Sequence, residues 1–311
     1  MKIYTVLKIG FLWMYHGENC YFLLKVNYMD YPGLYDFADE KSAKYQKCFF
    51  RLLFLEYFLL LLVSVIGLVT RVHAIEISYA VIFCALLTLM LYRNFIKHEQ
   101  KWYKYRALSE SIKTISWRYS MRTPPFNEGE KESAEKFIKT IGGIVKDNNY
   151  ISDEIDEKYA RKDKITGEMH IIRDLSYNER KQYYYDNRVV DQRNWYLNKA
   201  TYNKKISRRW SLFIGLIYVA SIIIVVLNAI NINGIPDFPV DPVTTLAASI
   251  VGWVQIKKYN ELAVSYFLTA HEIGDIKEQF NYISSENDFL EFVNNAEKAF
   301  SREHTQWLAR R

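Results

Sequence analysis

Between Trp210 and Pro236 the chain reads WSLFIGLIYVASIIIVVLNAININGIP, without a charged side chain and dense in Ile, Val and Leu. At about 1.5 Å per residue such a run reaches across a hydrocarbon core of roughly 30 Å, so it reads as a transmembrane helix. Lys204, Lys205, Arg208 and Arg209 precede it, and a second apolar segment, Val243 to Ile256, follows and is closed by Lys257 and Lys258. The two segments form a helical hairpin. The excess of Lys and Arg at both feet places them in the cytoplasm and the acidic, proline-bearing loop 236–242 outside.

The same unit occurs earlier. Leu52 to Thr70 and Ile75 to Tyr92 are a second apolar pair, flanked by Lys41, Lys44, Lys47 and Arg51 on one side and by Arg93, Lys97, Lys101 and Lys104 on the other. A shift of about 162 residues lays Cys48 on Trp210, Arg93 on Gln255 and Glu110 on Glu272. Two units of like orientation predict a pseudo-twofold axis along the membrane normal. The expected fold is therefore all-α and integral to the membrane: four transmembrane helices in two hairpins, 52–92 and 210–256, with long cytoplasmic helical extensions. The division that follows is an N-terminal extension 1–28, a first unit 29–146, a linker 147–175 and a second unit 176–311.

Composition fits that division. Mean hydropathy is slightly negative, so most of the chain lies outside the bilayer. Only 12 Gly and 6 Pro interrupt it, which favours long helices over sheets. The net charge of +6 sits beside the apolar segments, where it faces anionic lipid heads, and forms no basic stripe of the kind that binds nucleic acid. Cys20, Cys48 and Cys84 are too far apart for a disulfide framework or a metal motif and read as small buried hydrophobes.

Along the chain, residues 1–28 are aromatic but broken by Lys8, His16, Glu18 and Lys25, and Met29 reads as the natural start. After Pro32-Gly33 an amphipathic helix runs into the first span, where Glu56 is an intramembrane ionisable candidate or else a partner for Arg51 or Arg93. Phe95, Trp102, Tyr105, Leu108, Ile112, Ile115 and Tyr119 continue the second span as one rod that Pro124 and Pro125 terminate. Asn127 with Glu130, and Ser176 with Glu179, are capping-box pairs. The first opens a helix whose stripe is Phe137, Ile138, Ile141, Ile144 and Val145. From Ser176 neither Gly nor Pro intervenes before the third span, so one helix should reach the membrane. Phe289, Phe292, Val293, Ala296, Phe300 and Trp307 mark the buried face of a terminal helix.

Catalytic groupings are missing. The sequence has no phosphate-binding glycine loop, no nucleophile elbow and no pair of histidines at i, i+4, so no cofactor, metal or enzymatic activity is expected. Glu303 and His304 beside Trp307 read as packing or capping residues, since a lone His-Glu pair lacks a third ligand and a nucleophile.

Scattered positions carry a family resemblance. Tyr31-Pro32, Leu34-Tyr35, Ala38-Asp39, Ser42 and Gln46 before the first hairpin, with Trp117-Arg118-Tyr119 and Pro125-Phe126 after it, resemble one type of SLATT domain. Arg180, Tyr184, Arg188, Gln192, Trp195-Tyr196, Lys199-Ala200 and Asn203, with Glu297, Ser301, Glu303-His304 and Trp307, resemble another. The resemblance implies a multi-pass effector of the bacterial inner membrane, with both termini cytoplasmic. Such domains associate with SMODS and SLOG modules that make or sense nucleotides, and are proposed to form pores or disrupt the membrane in defence against infection. This chain carries no fused sensor, so a separate sensor or nucleotide-signalling partner is implied.

Two functional readings remain. The fourth span is short and holds Thr244, Thr245, Ala248, Ser249, Gly252 and Gln255. These line a pore in a homo-oligomer or serve close helix packing by the small face. The alternative is a membrane-anchored helical scaffold that recruits a cytoplasmic partner.

Overall fold

In a computed structural model, residues 29–68, 73–148, 151, 154–230 and 239–309 are described, without the side chains of 73–75 and 302–309. The expected extension 1–28, Cys20 and residues 236–238 of the 236–242 loop lie outside them. From Tyr31 onward the chain forms one compact unit, built of helices with no strand among the described residues.

Helix α1, Gly33–Ile66, starts where Pro32, lacking an N–H, fixes the approach. Its first position has to be glycine, because a Cβ there would run into the Tyr159 carbonyl and stand 2.8 Å from Lys162 Cβ. Backbone cannot yield as a side-chain tip can. Gly33→Ala should lower stability by about 1–3 kcal/mol, read from thermal unfolding in detergent, and an unshifted midpoint would refute this contact.

Next come α2, His73–Ile96, and α3, His98–Ser120. The rod expected in one piece is interrupted at Lys97, which takes a left-handed conformation at φ 53°. The second hairpin repeats the arrangement: α7, Tyr177–Tyr184, passes through a π-helical stretch, Tyr185–Val190, into α8, Asp191–Ile230. Then α9, Val240–Lys257, meets α10, Tyr259–Gln279, at Lys258, left-handed at φ 48°. In each repeat the helix that enters the membrane packs along the helix that leaves it, α1 on α3 and α8 on α10. The two lysine hinges lie 161 positions apart, one fewer than the shift read from layout.

Among the described residues three helical stretches are long and apolar enough to cross a membrane: Gly33–Ile66, Glu76–Ser120 and Tyr177–Ile230. α9, the fourth expected span, has 18 residues with Asp241 and Lys257 near its ends, is not among those three, and packs against α1 and α8. The apolar stretches are exposed: Leu216 at 67% and Ile77 at 64%. Apolar surface on that scale marks a lipid face. Cys84 is exposed in α2 and Cys48 half-buried in α1, not the fully buried hydrophobes expected.

Helix α4, Glu130–Asp147, begins after Gly129 with no side-chain cap, so Asn127 does not cap it. Ser133 Oγ instead donates to the carbonyls of Phe126 and Glu128 and fixes the turn one step later. Phe137 and Ile141 are buried as the stripe requires, while Ile138 is exposed. Residues 147–175, expected to be irregular, contain α5, Glu157–Ala160, and α6, Gly167–Asp174, the latter capped by Thr166. This stretch is tied to the first hairpin: Glu154 accepts from Tyr45 at 2.7 Å and from Lys101 at 3.3 Å. The capping box at Ser176 and Glu179 forms as predicted. Helix α11, Glu286–Ala309, closes the fold with Phe289, Phe292, Val293, Ala296 and Phe300 buried.

Candidate functional site

Two regions gather the residues that sequence singled out. The first is the seam between the hairpins, where α9 crosses α1. Gly252 allows the approach, since a Cβ on it would stand 2.6 Å from the Tyr57 hydroxyl and 3.2 Å from Cζ. On the base side of this contact Phe49, Leu53 and Trp253 form a buried cluster with Phe50, Trp102 and Trp210 packed against it. Lys257 closes the cluster from below, its ammonium 3.4 Å from the Phe50 ring centre.

On the turn side the helices diverge and leave a cleft of about 520 Å³. Its lining is mostly apolar, with Leu60, Val63 and Ala248, and carries polar groups from Tyr57, Ser64, Tyr79, Asp241, Thr245 and Ser249. Ser64 Oγ is buried there without a hydrogen-bond partner. A buried hydroxyl left unpaired is costly, and a water in the cleft would satisfy it.

The pore candidates thus divide. Thr245, Ala248 and Ser249 line the cleft, and Gly252 serves close packing against Tyr57. Thr244 is exposed and donates to the Asp241 carbonyl at 2.9 Å, and Gln255 is exposed outside the cleft. Glu56 is paired: Arg93 donates to it at 2.8 Å, tying α1 to α2. Both side chains keep a little over a quarter of their surface exposed, so the pair is only partly desolvated.

The second region is the base of the bundle. Arg188 donates through Nε and Nη2 to the two oxygens of Glu297, each at 2.8 Å, and both side chains are almost fully buried. Tyr184 donates to the same carboxylate at 2.9 Å, and Arg188 Nη1 donates to Gln192 at 3.1 Å. Burial disfavours the Arg188 charge, but Glu297 more than offsets it and holds the guanidinium above its usual range. Burial, reinforced by Glu297, pushes the Tyr184 phenol up.

Trp117 leans on Tyr184 edge-to-face and donates to the Tyr31 hydroxyl at 2.9 Å. Beside it Arg173 lies over the Tyr119 ring and donates to the carbonyls of Tyr119 and Phe126, replacing the partners that the end of α3 lacks. Arg180 donates to the carbonyls of Arg173 and Leu175 and to Glu286.

Of the motif residues, Trp117, Tyr119, Arg188 and Gln192 therefore converge around the base. Trp195 and Tyr196 sit higher, against Tyr266. Arg118 turns away toward α11, where it donates to the Asn294 carbonyl at 3.5 Å. The helix carries Glu303, His304 and Trp307, whose side chains lie outside the described ones. Arg173 and Glu286 were not legible in advance, because each acts on a partner distant in sequence. Both Glu297 oxygens accept from Arg188 or Tyr184, so the cluster ties α11 to the helix before the third span. Among the described residues no group of three His, Cys, Asp or Glu could hold a metal ion.

Two family models match the chain. SMODS and SLOG-associating 2TM effector domain 3 covers residues 32–181, and SMODS and SLOG-associating 2TM effector domain 1 covers residues 184–307. No curated protein and no solved structure matches it.

Proposed function

The chain is a tandem of two SLATT domains, membrane effector domains associated with conflict systems, and we propose that it acts by opening a water path between its two hairpins. The observation that carries this is the cleft beside Tyr57 and Gly252, whose mostly apolar wall carries Asp241 and several hydroxyls, one of them, Ser64, buried and left for water to satisfy. Hydroxyls and a carboxylate on an otherwise apolar wall suit a narrow hydrated path, and the apolar cluster of Phe49, Leu53 and Trp253 below it suits a hydrophobic gate that dewets when closed. The resting state is then closed at the base and hydrated toward the turns.

A homo-oligomer would wall the open side of each cleft. The basic feet favour insertion in a bacterial inner membrane with both termini cytoplasmic. A separate sensor protein would act on the polar base and shift the hinges at Lys97 and Lys258.

Ion flux from liposomes holding the reconstituted protein tests the path. Thr245→Leu with Ser249→Leu fills the cleft and should abolish flux that the native chain supports. Liposomes that stay sealed with native protein under every activating condition would overturn the path and leave a membrane-anchored scaffold.

A further inference from the structure

α3 and α11 part near the base and leave a second cleft of about 630 Å³, lined by Ser111, Thr114, Ile115, Arg118, Asn295 and Lys298, with Ser301 at its rim. That volume falls within the range of small-molecule sites. The chemistry of the lining is one-sided. Among the described residues two cations, an amide and three hydroxyls line the space, and no carboxylate is among them.

Among the described residues neither cation has a carboxylate partner. There the Arg118 guanidinium donates to a backbone carbonyl, and its Nε is buried without a hydrogen-bond partner. Lys298 is exposed one position from Glu297, but both Glu297 oxygens are already held by Arg188 and Tyr184. A guanidinium with an unused donor beside an ammonium and hydroxyls is the donor set that phosphate oxygens require.

We propose that this cleft binds a small phosphorylated anion, the phosphate held by Arg118 and Lys298 and the rest of the molecule lying over Ile115. Two positive charges match the −1.5 to −2 that a phosphate group carries near neutrality. Arg118 lies on the first SLATT domain and Lys298 on the second, so the ligand would bridge the two. The site stands whether or not the chain conducts ions.

The source is a soluble molecule and not a lipid head. From the hinge at Lys97 to Ser111 and Arg118 the helix descends roughly 20–30 Å, whereas the headgroup layer is only about 5–8 Å deep.

Calorimetric titration of the full chain in uncharged detergent with inorganic pyrophosphate, at low salt, tests the site. One site per chain is expected, weakened about tenfold by Lys298→Met and again by Arg118→Gln. Lys298 is exposed, so its variant should keep the native melting midpoint even if Arg118→Gln does not fold. Absence of binding to the native chain, or equal binding by folded Lys298→Met, would overturn the proposal. In nanodiscs the affinity should be the same with neutral lipid and with phosphatidylglycerol. Competition by the anionic lipid would move the anion to the headgroups and refute the soluble source.

Discussion

Glu297→Ala is expected to destabilise the base of the bundle by about 3–5 kcal/mol, the typical result of removing one member of a buried ion pair. The loss comes from what remains. Arg188 would keep its charge at 2% exposure, with Gln192 as its remaining side-chain acceptor among the described residues, and the buried Tyr184 hydroxyl would lose the carboxylate it donates to. Glu297→Gln keeps the shape and one acceptor, so its cost should fall between native and alanine. Arg188→Met with Glu297→Leu should recover most of the loss, because apolar residues of similar volume often replace a buried pair at little cost. The check is thermal unfolding in detergent with limited proteolysis of the base, where a drop of order 10 °C is expected for the alanine variant. If alanine leaves the midpoint unmoved, or the double variant is no better than alanine, the pair does not hold the base.

How far these features were legible depends on the range of the force that sets them. An uncharged run in lipid has few solutions, so the hairpins could be read directly. The long helix that enters the third span could be read because neither Gly nor Pro intervenes between Ser176 and Trp210, although the π-helical stretch at Tyr185–Val190 left no mark in periodicity. Local pattern alone is weaker. Asn127 with Glu130 and Ser176 with Glu179 share one spacing, yet only the second forms a capping box, because α4 starts with Gly129 at its N-cap, which makes Glu130 its first residue instead of its third.

Lys97 and Lys258 were read as basic feet, and their charge gave no hint that each would leave the right-handed helix. The left-handed turn follows from where the exit helix must go to pack on its partner, which is tertiary. Pairings such as Arg188 with Glu297 join residues 109 apart and had no signal of their own. Glu297 stood out only as a position of the family resemblance, with no partner attached to it. The small-residue face of α9 posed a different problem: its spacing was equally good for packing or for lining water, and only the position of Tyr57 on the other hairpin separates the two roles.

That separation can be measured. Gly252→Leu should cost about 1–3 kcal/mol by overpacking, since even its Cβ would stand 2.6 Å from the Tyr57 hydroxyl and 3.2 Å from the ring carbon behind it. The tyrosine tip can swing aside for one methyl group, so Gly252→Ala should cost less. A leucine side chain needs the space of the ring itself, and the helices must then part. Tyr57→Ala removes the ring, so the variant carrying both changes should be more stable than the two single costs add up to, with a favourable coupling of about 0.5–3 kcal/mol in a double-mutant cycle. The displacement acts next on the contact between Leu53 and Trp253, which lies on the base side of Gly252 on the same two helices. If that cluster is the gate, Gly252→Leu alone should also leak ions from liposomes and the double variant should not. Additive costs would place the seam elsewhere on α1, and a Gly252→Leu chain as stable as the native one would mean that the hairpins do not meet at this glycine.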